Sequence, residues 1–223
     1  MCCASARGID VGYLLLTRGG AGMPSPPEET ARLRLAEQQT ACAVVGVKHL
    51  TVLKHPDGVL AHGLDLRRDT CREVRRFKPE VVVSNGYEVE TPSGFDQSDH
   101  RVAGLATVDA VRDAANRWVF PEQIDDEGLE PHSVRRIVIP GLAGELHATH
   151  GVDVTGEPLR RGIASLEAHA AYLAALPGHP APADFVPKLT TMNGRAMGVE
   201  HVVLFRAHDL HAPPAIRTDG TRE

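Results

Sequence analysis

The stretch Val11 to Gly22, VGYLLLTRGGAG, decides the fold class. Val11 to Thr17 is an apolar run of strand length, and the loop Arg18 to Pro27 that follows is rich in Gly and Pro. A run without polar alternation reads as a strand buried on both faces. Glu28 to Val45 then reads as a helix, with prolines just before it, acidic residues in its first turn and Gly46 just after it. Outward from there the same unit recurs. A strand, Leu50 to Leu53, ends at a Pro56-Asp57-Gly58 turn. A second helix, Leu64 to Phe77, keeps Leu66, Thr70, Val74 and Phe77 at helical spacing until Lys78-Pro79 stops it. Val81 to Ser84 is a third strand. Such alternation predicts an α/β fold, a Rossmann-like parallel sheet flanked by helices.

The remaining chain continues the pattern less regularly. A long polar loop, Asn85 to Ser98, precedes a helix from about Arg101 to Asn116, with His100 at the junction. Loops of that length inside a domain are uncommon and often functional. Strands are expected at Arg136 to Ile139, Val152 to Val154 and His201 to Phe205, and helices at Pro158 to Leu176 and Asp184 to Met192. Residues 1–210 read as one α/β domain, and 211–223 as a frayed tail containing proline.

Composition narrows the function. Twenty-nine acidic residues outnumber 24 basic ones for a net charge of -5, and no basic block stands apart, so nucleic acid is disfavoured as a partner. No apolar run approaches the roughly 20 residues that span a bilayer, so no membrane span is expected. The four cysteines, Cys2, Cys3, Cys42 and Cys71, have no Cys-x-x-Cys spacing, so neither a disulfide scaffold nor a thiolate zinc site follows. The first residues lack the pattern of a secretory leader, and the expected compartment is the cytoplasm.

In an open parallel sheet, ligands bind beyond the carboxyl ends of the strands. The loops after Thr17, Leu53 and Ser84 should therefore converge on one crevice. They carry Arg18 with Gly19 and Gly22, then His55 with Asp57, then Asp96, Gln97, Asp99 and His100. These donors, carboxylates and imidazoles suit hydrolysis with a metal or with an acid/base pair.

Several of these segments together resemble the PIG-L/LmbE family of zinc-dependent N-deacetylases, over about residues 4–175. Leu16 to Gly22 is similar to the family's Thr-x-Gly-Glu-x-Gly loop, and Arg34-Leu35-Ala36-Glu37 to its Arg-x-x-Glu helix. Pro56-Asp57-Gly58, Ser98-Asp99-His100 and Val152-Asp153-Val154-Thr155 match further elements in the same order. The resemblance implies hydrolysis of an N-acetyl or other N-acyl group on an amino sugar or a sugar-containing small molecule. It implies Zn2+ as cofactor, with His100 as a metal ligand, Gln97 and Asp99 as catalytic groups at the oxyanion or orienting the ligands, and Arg34 and Asp57 as substrate contacts. Oligomeric state is left open.

The departures are equally specific. The family's Ala-His-Pro-Asp-Asp motif, which supplies two zinc ligands and the base, is absent, and the resemblance places it with a first central strand upstream of Met1. The full zinc site therefore needs ligands that this chain does not carry, and the chain as given is expected to be truncated at its N-terminus and inactive or weakly active. Gly20 replaces the loop Glu, and Gln97 stands where the first histidine of His-Pro-Asp-His belongs. His55-Pro56-Asp57-Gly58 imitates the missing motif but follows the wrong strand. The alternative reading is a catalytically dead homologue that binds a sugar or a protein partner through the same crevice. A nucleotide binder is the weakest reading, since no Gly-x-Gly-x-x-Gly follows a strand.

Plainer readings stand beside these. His100 is otherwise a solvated imidazole near a helix start, Asp99 a helix cap, Asp57-Gly58 a turn, and Arg34 with Glu37 a helix-surface pair. The His147/His150 and His208/His211 pairs have His-x-x-His spacing, yet neither lies at the expected crevice. His169, among alanines, reads as structural.

Overall fold

The computed structural model describes residues 4, 7–91, 94–141, 148–195 and 197–211. β1 (Gly12–Thr17) and β2 (His49–His55) pair in parallel, with Tyr13 opposite Leu50 and Leu15 opposite Val52. The helix joining them, α1 (Pro27–Val45), has proline in its first turn, where the missing N–H costs nothing. It ends at Gly46, whose left-handed φ of 75° lets its N–H reach back to the carbonyls of Cys42 and Ala43. Cys42 and Val45 of α1, with Val47, pack on Val11, Tyr13 and Leu50, so the helix is fixed to the β1–β2 face by burial.

α2 (Leu64–Phe77) carries the chain to β3 (Val81–Val83), which pairs in parallel with β6 (Arg136–Gly141). β8 (Val202–Asp209) lies antiparallel between β6 and β7 (His150–Asp153), giving the order β3-β6-β8-β7. The α/β class with a helix-flanked sheet is as the sequence predicts, but the sheet is mixed rather than wholly parallel. Short apolar runs look alike in either direction, so strand polarity was not readable from them. Among the described residues no ladder joins β1–β2 to the four-stranded sheet.

Further elements depart from expectation. The loop after β3 contains a small antiparallel pair, β4 (Glu90–Thr91) and β5 (Gly94–Phe95). α3 (Ser98–Ala114) begins earlier than expected, so His100 lies inside its first turn. A short α4 (Glu122–Asp125) follows. The long helix expected at Pro158 to Leu176 is instead α5 (Glu157–Glu167) and α6 (Ala170–Ala174), broken at His169. The break has a tertiary cause, because Glu37 of α1 accepts the Ala171 N–H at 2.6 Å in place of a helical carbonyl. α7 (Pro182–Gly194) leads into β8, which runs to Asp209 rather than stopping at Phe205. The expected tail begins with a held residue, since His211 Nε2 lies 3.0 Å from Ser133 Oγ, and residues 212–223 lie outside the described residues.

α2 and α3 pack together over Cys71, Val74, Ala110, Val111, Ala114 and Val134. Within this contact Arg75 is fully buried and, among the described residues, has no carboxylate partner. It donates to the carbonyls of Asp113, Ala114, Asn116, Val119 and Phe120 and to Gln123 Oε1. One guanidinium thus satisfies the carbonyls at the C-terminal end of α3 and orients the chain into α4. A second cluster, Leu60, Leu66 and Ala106 with Leu16 and Val102, ties the loop after β2 to α2, α3 and the end of β1. That cluster sits directly beneath the loops of interest. No helix among the described residues is long and apolar enough to cross a membrane.

Candidate active site

Thr17 ends β1, and its hydroxyl donates to Asp57 Oδ1 at 2.6 Å. The other Asp57 oxygen accepts the Ala21 N–H at 2.8 Å. Asp57 thereby fastens the Gly-rich loop after β1 to the turn after β2. The next link is Asp99, in the first turn of α3, whose carboxylate accepts the N–H of Gly58 at 2.7 Å and of Leu60 at 3.1 Å. Gly58 has a φ of 82°, a left-handed conformation that glycine adopts without strain and that aims its N–H at this carboxylate. Three loops from distant parts of the sequence are therefore joined by two carboxylates.

His100 follows Asp99, and its Nδ1 lies 3.0 Å from Asp96 Oδ1. Asp96 is held in turn, its N–H bonded to the Val89 carbonyl at 3.0 Å and its Oδ1 accepting the Gln97 N–H at 2.9 Å. The side chain of Arg101 donates to the Asp96 carbonyl. With Nδ1–H donated to Asp96, the imidazole presents Nε2 with its lone pair outward, the arrangement of a base oriented by a carboxylate. Gln97 occupies the N-cap position of α3 and is exposed.

His55 does not join this group. Its Nε2 lies 3.0 Å from Asp69 Oδ2 on α2, and Asp69 also binds Arg72, which reaches Glu127. Arg34 lies on the other side of the Gly-rich loop, its guanidinium stacked 3.6 Å from the ring centroid of Tyr172. Rather than pairing with Arg34 on the helix surface, Glu37 bonds Ala171. Arg34 Nη1, Glu37 Oε2 and His169 Nδ1 are buried without a partner among the described residues. His169 is held below the ordinary imidazole range by burial first and by the nearby Arg34 charge second.

Of the residues named from the sequence, Asp57, Gln97, Asp99 and His100 come together at the ends of β1, β2 and α3, while Arg34 stands behind the Gly19 to Gly22 loop. Two participants, Thr17 as the Asp57 donor and Asp96 as the His100 partner, were not assigned those roles. Asp96 stands four residues before His100 but precedes α3, so its carboxylate reaches the imidazole from the loop. Of the remaining histidine pairs, His150 contacts Thr149 and His211 contacts Ser133, and His147 lies outside the described residues.

A catalytic zinc takes three protein ligands and a water. Among the described residues no three His, Cys, Asp or Glu side chains are grouped to hold a metal ion. Asp99 spends both oxygens on backbone N–H groups, and His100 offers a single nitrogen. The described residues do not fit such a centre by themselves.

The signature of the GlcNAc-PI de-N-acetylase family, PIG-L, matches residues 1–111. A diacetylchitobiose deacetylase from Thermococcus kodakarensis is 31% identical over 137 residues, covering 58% of this chain and 48% of that protein. The match thus spans about half the length of this curated relative. Among solved structures, N,N'-diacetylchitobiose deacetylase from Pyrococcus horikoshii superposes with a TM-score of 0.80 at 21% identity, covering 96% of this chain and 80% of that one. A conserved protein of Thermus thermophilus gives 0.75 at 23% identity, with 100% and 90% covered. A 4-carboxy-2-hydroxymuconate hydratase from Pseudomonas putida gives 0.71 at 13% identity, with 95% and 89% covered. Residues 1–111, which carry Thr17, Arg34, Asp57, Asp99 and His100, are thus similar to the PIG-L family.

Proposed function

We propose that this chain acts on an N-acetylated amino sugar or a related sugar-containing small molecule and hydrolyses its acetyl–nitrogen bond. The fold alone does not choose this reaction, since a hydratase shares it. The family match and the deacetylase relative support it. The observation that carries it is the Asp96–His100 pair, at 3.0 Å, beside the Asp99 clamp.

In this reading Asp96 accepts the Nδ1 proton of His100, and Nε2 takes a proton from the attacking water. Water oxygen adds to the acyl carbon, the carbon–nitrogen bond breaks, and the proton passes to the departing amine, leaving acetate and the free amino sugar. Gln97 donates an amide N–H to the oxygen that becomes negative. Asp57, already fixed by Thr17 and Ala21, accepts a sugar hydroxyl, and Arg34 supports the loop that faces the sugar. Zinc dependence, implied by the family, requires ligands beyond His100.

A second reading, sugar binding without hydrolysis, is favoured by the absence of a metal-holding group among the described residues. Acetate release from N,N'-diacetylchitobiose, measured with and without added zinc and alongside calorimetric binding, separates the two. Release supports the hydrolase, binding without release supports the second reading, and the absence of both release and binding removes both.

A further inference from the structure

Scattered apolar side chains are normal on a protein surface, and only their grouping is informative. Among the described residues Phe95 is 81% exposed, Val59 71% and Val89 58%. These three are tied to the candidate site rather than scattered. Val59 sits between Gly58 and Leu60, whose N–H groups are both held by Asp99. Val89 provides the carbonyl that binds the Asp96 N–H, and Phe95 precedes Asp96 directly. Each is therefore one residue from, or hydrogen-bonded to, a group that positions the first turn of α3.

The polar half of the site accounts for an amide and sugar hydroxyls, and these apolar side chains have no task in that chemistry. We infer that Val59, Val89 and Phe95 form a rim that takes a neutral apolar aglycone on the amino sugar, so that the preferred substrate is an alkyl or aryl glycoside rather than the free sugar. This rests on the amino-sugar reading above. The charge at this end argues for a neutral group: Asp57, Asp96 and Asp99 crowd the same loops, and the nearby Arg101 is engaged with the Asp96 carbonyl. An anionic aglycone or an anionic membrane surface would meet carboxylates. The planar Phe95 ring offers a large contact area at low conformational cost.

The test is calorimetric titration with N-acetylglucosamine and with its hexyl β-glycoside. The glycoside should bind roughly tenfold tighter, the scale expected for burying about two methylene groups. Phe95→Ser and Val59→Ser should each remove a several-fold part of that advantage without changing affinity for the free sugar. Trp118→Ser is the control, since Trp118 is 77% exposed but follows the far end of the 17-residue α3. Equal affinity for the two ligands, or an advantage that survives both rim substitutions, overturns the inference. So does a dimer in sedimentation that Phe95→Ser dissociates, because the rim is then an interface between copies. Acetate release keeps the two proposals apart. Release with equal kcat/KM for both ligands upholds the hydrolase and removes the rim, whereas tighter glycoside binding without release keeps the rim and removes the hydrolase. Binding of neither ligand removes the rim as well.

Discussion

The Asp99 carboxylate accepts the Gly58 N–H at 2.7 Å across 41 residues of sequence, and with Leu60 this makes a two-point clamp between α3 and the turn after β2. Hydrogen bonds to an ionised group are the stronger kind, and this one is partly shielded by the buried Leu60. Asp99→Ala should cost about 1–2 kcal/mol of stability. Asp99→Asn keeps one acceptor and should cost less. Urea denaturation of the three proteins checks the order, and equal midpoints would remove the clamp from the argument.

Gly104 faces the backbone at the start of the loop after β3. A methyl group there would lie 2.3 Å from the Gly86 carbonyl oxygen and 2.9 Å from that of Asn85. Alanine favours a helix by about 1 kcal/mol over glycine, but overpacking against rigid backbone costs roughly 1–3 kcal/mol. Gly104→Ala should therefore destabilise on balance, and should lower ligand affinity by displacing the segment that leads to Asp96. A raised melting temperature would mean that α3 stands farther from this loop.

Burial pushes the Cys71 thiol up to about 11, so at pH 8 it is almost wholly protonated. Iodoacetamide should leave Cys71 unmodified in the folded chain and label it in denaturant. Peptide mass mapping reads this directly, and rapid labelling in the native protein would contradict the packing of α2 on α3.

His169 supplies a pH dependence with a definite sign. Its folded pKa lies below the ordinary 6.5, chiefly through burial and then through Arg34. Above that value the imidazole is neutral in both states and contributes no pH dependence. As pH falls below 6.5 the unfolded chain binds a proton that the folded chain refuses, so stability is lost until the lower folded pKa is passed. His169→Gln should reduce the loss between pH 7.5 and pH 5.5, values chosen to lie about one unit either side of the free imidazole. Denaturation curves at both pH values test it, and an unchanged loss would place His169 in solvent.

The strand–loop–helix units of the first half were legible because their signals are local: Pro before α1, Gly46 after it, and the 3.6-residue spacing of α2. The convergence of Asp57 and Asp99 followed from a general property of parallel strands, which all deliver their loops to one end. What was not legible depends on distant partners or on very short elements. The break at His169 is set by Glu37, 134 residues away from Ala171, and no local pattern encodes it. The strands Glu90–Thr91 and Gly94–Phe95 have two residues each, too few to show a period. The Asp96–His100 contact was not legible either, because α3 begins at Ser98 after an extended Gln97, so Asp96 reaches the imidazole from the loop and no helical spacing encodes it.

Asp96 and Gln97 are adjacent, yet the hydrolase reading gives them separable effects. Asp96→Asn preserves an oxygen near His100 Nδ1 but removes the negative charge that favours the protonated imidazole during proton transfer. It should lower kcat by about 100-fold or more, within the range for general-base catalysis. Gln97→Ala removes one amide donor and should also lower kcat by about 100-fold, the scale of a single oxyanion contact. The two differ in what else they change. An uncharged amide does not titrate, so the pH profile of Gln97→Ala should keep its native shape. Asp96→Asn removes the carboxylate that orients the His100 ring, and Asp96→Glu should restore part of the lost kcat, a rescue with no counterpart at Gln97. Substrate affinity should hold in both, as neither side chain contacts the sugar in this reading. Acetate release measured across pH for both variants decides the assignment: an unchanged kcat in Gln97→Ala makes that residue a solvent-facing cap, and an unchanged kcat in Asp96→Asn removes His100 as the base.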